Sequence, residues 1–189
     1  LDFIGYNGLG DYGTLSTDAT DKSIKLSTPE TVAKQVDIVI ARTKGRAAEH
    51  AINGVPLYFT HLLSQVSVQA KNSNKTYKVE VAGVKIARIQ SQAMLTLPAE
   101  IKQGEELTGY RDLTDPKSFG AASANVLTLD DTPREIGTST AGNFMLIPQE
   151  LTAWNRTEQI GGAADNKGTY LGILLRITTP SGAQYYPLE

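Results

Sequence analysis

The residue types that carry most enzyme chemistry are scarce in this chain. It has two histidines, His50 and His61, and no cysteine among its 189 residues. The absence of cysteine excludes disulfides, thiolate metal sites and cysteine nucleophiles together. A serine triad would need one of the two histidines, and the chain has no Gly-x-Ser-x-Gly elbow to hold the serine. The two histidines therefore decide whether serine-triad or zinc chemistry is available.

Neither histidine lies in a pattern typical of catalysis. His50 lies in the polar segment 42–54, which ends in the turn pair Asn53-Gly54 and is predicted to be an exposed connector. His61 lies on the apolar face of a predicted strand, where we expect a hydrogen-bonded structural histidine. A zinc site would need both histidines and a carboxylate, and the spacing does not bring them together. We therefore predict no catalytic, cofactor-binding or metal-binding residues.

Acidic residues cluster at three places in the second half of the chain. Their oxygens could bind calcium, but their spacing does not follow the twelve-residue calcium loop, so solvated turns are favoured. Two carboxylates from distant strands could still form a glycosidase pair, and an enzyme on a β scaffold remains a third hypothesis. No motif supports it, and we predict that the protein is not an enzyme. The clusters are Glu105-Glu106, Asp112 with Asp115, and Asp130-Asp131.

Composition narrows the possible partners. The net charge is −2 and the isoelectric point is near 5.8, so electrostatics give no reason to expect nucleic acid or an anionic membrane as a partner. With 40% hydrophobic and 20% charged residues, the chain is typical of a globular protein. No window of eighteen apolar residues occurs. We therefore expect a folded domain with a real core.

The fold is predicted to be organised around the stretch Val55–Ala70. Its apolar residues alternate, and the phase shifts by one near Ser64–Gln65, as a β-bulge would cause. An amphipathic helix is the alternative, but β-branched and aromatic residues and Pro56 disfavour it. We predict one long, bent, core-facing strand. Its signature residues are Leu57, Phe59, His61, Leu63, Val66 and Val68.

Other segments carry strand patterns as well. A phase reset at Ala82-Gly83 predicts a second bulge or a tight turn, and a short helix is predicted near residues 27–35. Residues 90–142 contain much glycine and proline and are predicted to be mainly an elaborated loop region. Many short strands and few helices predict an all-β sandwich with Greek-key or meander connections. The predicted strands are 36–41, 77–89, 93–97, 126–129, 144–148, 169–178 and a last one beginning at Gln184.

Four pieces of the sequence together resemble the fimbrillin-like family of bacterial surface proteins. The segment GVPLYFTHLLSQVSVQAKNSNKTYKVEVAGVKI is similar to the family's central signature and contains two of the pieces, one strand pattern from Phe59 to Val66 and another from Val79 to Val84. VDIVIA at 36–41 and FMLIPQ at 144–149 are similar to its flanking strands. The pieces occur in the family's order. The matching residues are Asp37, Ala41, Phe59, His61, Ser64, Val66, Val79, Val81, Gly83 and Val84.

The resemblance implies an all-β protein made of transthyretin-like Greek-key sandwiches. Residues 1–50 would be the C-terminal part of a first β domain. Residues 51–189 would be most of a second, which lacks its last strands because no Pro-Gly-x-x-Tyr-x-Tyr text follows. His61 would be structural.

The resemblance also implies a function. The protein would be a shaft, anchor or tip subunit of a surface fimbria that supports cell adhesion at the outer membrane. It would be exported as a lipoprotein precursor, joined to other fimbrial subunits by donated strands, and would need no cofactor. The alternative is a cell-surface sandwich that binds a glycan or host ligand without polymerising. Its ligand-facing aromatic residues would be Trp154, Tyr185 and Tyr186.

Overall fold

The computed structural model describes residues 1–18, 21–136, 143–155 and 168–185. Within these ranges the backbone forms thirteen β-strands, one short α-helix and two 3₁₀ helices, so the predicted all-β class is confirmed. The helix α1 is Ala47–His50, and the 3₁₀ helices are Gly10–Tyr12 and Val32–Lys34. The strands are β1 (Asp2–Asn7), β2 (Gly13–Thr17), β3 (Lys22–Ser27), β4 (Val39–Lys44), β5 (Thr60–His61), β6 (Ser64–Val66), β7 (Gln69–Ala70), β8 (Lys78–Thr96), β9 (Tyr110–Thr128), β10 (Arg134–Glu135), β11 (Phe144–Leu146), β12 (Tyr170–Thr178) and β13 (Gln184–Tyr185).

A long antiparallel hairpin of β8 and β9 is the spine of the molecule. Each strand has 19 residues, and the two pair along most of their length. On its other edge β8 pairs twice: β12 lies beside residues 78–87, and β3 lies beside residues 92–96. Beyond these strands lie β13 and β2. The spine therefore carries one short strand pair at each of its two ends.

Each end of the spine has its own hydrophobic core. At the β3 end, the sheet packs against a second sheet, β1-β4-β5, and forms the first core. At the β12 end, it packs against two small ribbons, β6-β11 and β7-β10, and forms the second core. Fully buried members include Ile24, Leu26, Ile40, Leu62 and Leu95 in the first core, and Val81, Phe119 and Phe144 in the second.

Between β3 and β12, the side chain of Gln149 pairs with the exposed edge of β8. Its Oε1 accepts a hydrogen bond from the Gln90 N–H at 2.9 Å, and its Nε2 donates to the Gln90 carbonyl at 3.0 Å. The Thr28 N–H donates to the Ser91 carbonyl beside it, at 2.8 Å. Backbone groups away from water need such partners. The Gln149 side chain therefore makes the two hydrogen bonds that one residue of a neighbouring strand would make at this point. The sequence FMLIPQ gives no signal of this role.

Several predicted elements are confirmed. The apolar run at 144–148 contains β11, and the alternating run at 169–178 contains β12. The strands predicted at 93–97 and 126–129 fall at the ends of β8 and β9. The bulge at Ala82-Gly83 is confirmed as well, because the pairing on both sides of β8 passes from Val81 to Gly83 and leaves Ala82 without a partner residue. The predicted helix near residues 27–35 is only the 3₁₀ helix Val32–Lys34.

The prediction of one long strand over Val55–Ala70 is wrong. The stretch holds three short strands that pair with three different partners: β5 with β4, β6 with β11, and β7 with β10. The alternating apolar residues of this stretch are divided between the two cores. Leu62 and Leu63 enter the first core, while Val66 and Val68 pack against the second. The segment therefore changes its pairing partner twice as it passes from the first core to the second.

The prediction that Leu57 and Phe59 belong to a core-facing strand is wrong as well. Leu57 and Phe59 precede β5 and cross the outer face of β1, where a Cβ on Gly5 would lie 3.1 Å from Phe59 Cζ. Phe59 is consequently 53% exposed, and Leu57 is exposed as well. Both residues cover a sheet from outside instead of filling a core. Leu63 is buried, as predicted, and His61 is described below.

The prediction of a loop region over 90–142 is wrong for residues 110–128, which form β9. This strand contains residues that favour turns: Asp112 and Asp115 have φ of 54° and 61°, and Pro116 follows. They lie at or beside register shifts in the β8–β9 pairing. Bulges use such residues and disrupt the alternation from which a strand is recognised. β7 and β8 are neighbours in the sequence, yet they do not pair with each other in the described ranges, since β7 pairs with β10.

Strand pairing crosses the predicted domain boundary near residue 51. β3 precedes the boundary and pairs with β8, which follows it. The first core likewise contains Ile24 and Ile40 from one side and Leu62 and Leu95 from the other. The division into 1–50 and 51–189 stays a prediction, and both the β3–β8 pair and the first core contain residues from each side of it.

Candidate functional site

Two residues of the family resemblance meet on the surface. His61 Nδ1 lies 2.8 Å from Asp37 Oδ2 and 3.0 Å from Oδ1, because the β4–β5 register places His61 opposite Val39. The His61 side chain is 70% exposed, so the expectation of a buried face is wrong. The pair links β5 to the segment just before β4. In the described ranges, no three His, Cys, Asp or Glu side chains come together as a metal site.

The predicted ligand-facing aromatic residues are not brought together. Trp154 packs edge-to-face on Tyr170, with ring centroids 5.1 Å apart, at the start of β12. Tyr185 is exposed and pairs with Ile177 near the other end of β12, about 23 Å along the strand. Tyr186 lies outside the described residues. A shared ligand face for these residues stays a prediction.

The feature that stands out is the core-facing side of β12. Its residues Leu171, Ile173 and Leu175 lie opposite Ile86, Val84 and Val81 of β8. Residues directly opposite in an antiparallel pair share a face, and these β8 residues all line the second core. Leu171 and Ile173 therefore face the core, yet they are 50% and 37% exposed. The described layer opposite leaves them partly uncovered.

Among the described residues, the edge of β12 that faces away from β8 is also unpaired over most of its length. β13 pairs only with Ile177 and Thr178, and no other strand in the described ranges pairs on that side. We call residues Leu171–Leu175 the open edge. Their sequence, LGILL, has neither a charge nor a proline. Natural sheets usually protect such an edge, because its free N–H and C=O groups can pair with another chain.

The opposite edge of the same sheet is protected. β9 borders the sheet there, and its pairing with β8 shifts register three times. It carries Pro116, which lacks an N–H, and the ion pairs Arg111–Asp112 and Lys117–Asp115, at 2.8 and 2.9 Å. Proline, bulges and charges are the devices that prevent strand addition. The contrast marks the open edge as the accessible one.

Ionic contacts hold β12 to β8 on the outer face. Glu80 accepts a hydrogen bond from Arg176 Nε at 2.6 Å and lies 2.8 Å from Lys78 Nζ. The bond from Arg176 is the larger cause, and the two together lower the pKa of Glu80 to about 2. Next along the strand, Gly172 leaves room for the Lys85 side chain, whose ammonium lies 5.7 Å from the Tyr170 ring centroid. These contacts keep the strand in place while its other edge stays open.

Comparison with known proteins identifies a family. A family model described as fimbrillin-like matches residues 1–185, and the match includes all four pieces of the resemblance. No curated protein and no solved structure matches the chain. Within the described residues, no helix is both long enough and apolar enough to cross a membrane.

Proposed function

Because the chain belongs to the fimbrillin-like family, we propose that it is a structural subunit of a bacterial surface fimbria that polymerises by strand donation. Family membership supports the fimbrial role and the cell-surface location. Export as a lipoprotein precursor and a contribution of the fimbria to cell adhesion belong to the same proposal. A subunit of this kind works through contacts with other subunits, so its functional site is an assembly surface.

The observation that carries the proposal is the open edge of β12. A strand from a neighbouring subunit can lie along Leu171–Leu175 and form main-chain hydrogen bonds with it. Alternate side chains of that strand would then lie over the second core, beside Leu171 and Ile173. Leu171 and Ile173 are 50% and 37% exposed, so burying the rest of each side chain should contribute about 1 kcal/mol for each residue.

The geometry of such a contact leads to a filament. The accepting strand lies at one end of the spine, and the donated strand comes from a different part of the next subunit. A head-to-tail contact between unlike surfaces repeats without closing unless the rotation happens to form a ring. The open edge would thus be one half of each joint, and the donated strand would be the other.

Electron microscopy of the protein mixed with other fimbrial subunits of the same cells tests the proposal. We expect polymers from the wild type. Ile173→Lys should shorten them about tenfold, because a charge on the open edge opposes strand addition. Ser16→Lys is the matched control, since Ser16 is exposed on β2, the edge strand at the other end of the sheet.

Two outcomes contradict the proposal at different levels. Wild-type length in Ile173→Lys would exclude strand donation at β12. Failure of the wild type to enter any polymer would exclude the role of structural subunit itself.

A further inference from the structure

We infer that two copies of this subunit pair through their open edges and form an antiparallel, two-fold dimer before assembly. The dimer depends only on β12, whereas its competition with polymer assembly rests on the proposed function. The ends of the open edge define the register. β12 begins at Tyr170, and β13 occupies Ile177 and Thr178, so the middle of the open edge is Ile173.

The faces of the strand restrict the dimer further. A two-fold axis perpendicular to the sheet leaves the core-facing sides of both copies on the same side. Directly opposed residues share a face, so a core-facing residue must meet another core-facing residue. Such an axis must therefore pass beside a single residue. Placing it at Ile173 pairs the open edge over its full length.

In this register the open edge is complementary to itself. Ile173 meets Ile173 of the second copy, and Leu171 meets Leu175, so the core-facing side becomes one continuous apolar row. On the outer side Gly172 meets Leu174, a small residue against a large one. The five residues carry no charge, so nothing repels across the axis. Apolar cross-strand pairs of this kind contribute about 0.2–1 kcal/mol each beyond the main-chain hydrogen bonds.

The other edge strands fit β12 less well. β9 is interrupted by Pro116 and by its register shifts, as described above. β2 would present the polar side chains of Thr14 and Ser16. A second β12 therefore matches the open edge better than β9 or β2 does. Because a donated strand would use the same edge, the dimer and the polymer would exclude one another, and assembly would have to begin by separating the two copies.

Cysteine cross-linking tests the register, because the chain has no cysteine of its own. Cβ atoms directly opposite in an antiparallel pair are about 4.5–5.5 Å apart, close to the span of a disulfide. Ile173→Cys should therefore form a covalent dimer on mild oxidation. Leu171→Cys is the matched control, because its two copies would lie about 13 Å apart along the strands. A mixture of Leu171→Cys and Leu175→Cys should restore the cross-link.

Sedimentation velocity gives the second readout, without cysteine. The wild type should dimerise at about 100 μM, whereas Ile173→Lys should stay monomeric and Ser16→Lys should behave as the wild type. A monomeric wild type, or equal cross-linking of Ile173→Cys and Leu171→Cys alone, would overturn the dimer. Polymers that grow from a wild type shown to be monomeric would overturn the dimer and leave the proposed function intact. A dimer that never enters polymers would overturn the proposed function alone.

Discussion

β3 and β12 lie on the same edge of β8, and both run antiparallel to it, yet they are covered very differently. Ile24 and Leu26 of β3 are 0% exposed, whereas Leu171 and Ile173 of β12 keep a third to a half of their surface in water. β3 lies beneath a three-stranded sheet, and β12 lies opposite ribbons of two and three residues per strand. Strand pairing thus decides which way a side chain points, and the opposite layer decides whether it is buried.

The two ends of the spine accordingly have different roles. Among the described residues the first core has thirteen buried members and the second has nine, so more of the stability should come from the first. The second core is complete around Phe119 and Phe144 but open along β12. A partly exposed apolar strand contributes less to folding and leaves surface for a partner. The two β-strands should therefore respond oppositely to substitution: β3 through stability, and β12 through assembly.

The largest effect should come from truncating a leucine at each end. Leu26→Ala should lower the free energy of unfolding by about 3 kcal/mol, because it leaves a cavity in a filled core. Leu171→Ala should lower it by about 1 kcal/mol or less, because half of the side chain is already in water. Urea unfolding followed by circular dichroism measures both. Equal losses would show that the second core is closed in solution.

Removing the side-chain amide of Gln149, which lies between β3 and β12, should have the next largest effect on the free energy of unfolding. Gln149→Leu keeps the size but leaves the Gln90 N–H and C=O without their partner, which should cost about 2 kcal/mol. Hydrogen exchange at the Gln90 amide should quicken as well. Gln103→Leu, at an exposed position, is the control and should change neither quantity. An unchanged Gln90 exchange rate would mean that another group pairs with this edge.

These comparisons also explain how much the sequence could predict. β11, β12 and the bulge at Gly83 were predictable because each leaves a local signal: an apolar run, an alternation, or a break in an alternation. The face of Leu171 and Ile173 was predictable for the same reason. Their exposure was not, since it depends on the size of ribbons formed by β6 and β11, far away in the sequence.

The errors have a related cause. Val55–Ala70 alternates as one strand would, but its two halves belong to different cores. β9 is a strand of 19 residues, but its proline and its two aspartates with positive φ are residue types typical of loops. Gln149 contributes through Gln90, which lies 59 positions earlier in the chain. Long-range partners of this kind leave no periodic signal.

Acid should weaken the attachment of β12 in a predictable range. The pKa of Glu80 is lowered from 4.5 to about 2 by Arg176 and Lys78. A carboxyl whose pKa is lower in the folded state stabilises that state fully above about pH 4.5, and the contribution is lost as the pH falls toward about 2. Glu80→Gln should flatten the decline of unfolding free energy between those pH values. Glu100→Gln should keep the wild-type decline, and a matching decline in Glu80→Gln would remove Glu80 from this role.

The smallest effect should come from the pair that links β5 to the segment just before β4, over the first core. His61 and Asp37 are both exposed, and exposed ion pairs contribute about 0–1 kcal/mol. Beside them, Leu62 is fully buried, and its N–H donates to the Ile38 carbonyl at 2.8 Å. His61→Ala should therefore change the free energy of unfolding by no more than about 0.5 kcal/mol, measured in urea beside Leu26→Ala. A loss near that of Leu26→Ala would mean that the surface pair, and not the buried leucine, holds the cover of the first core in place.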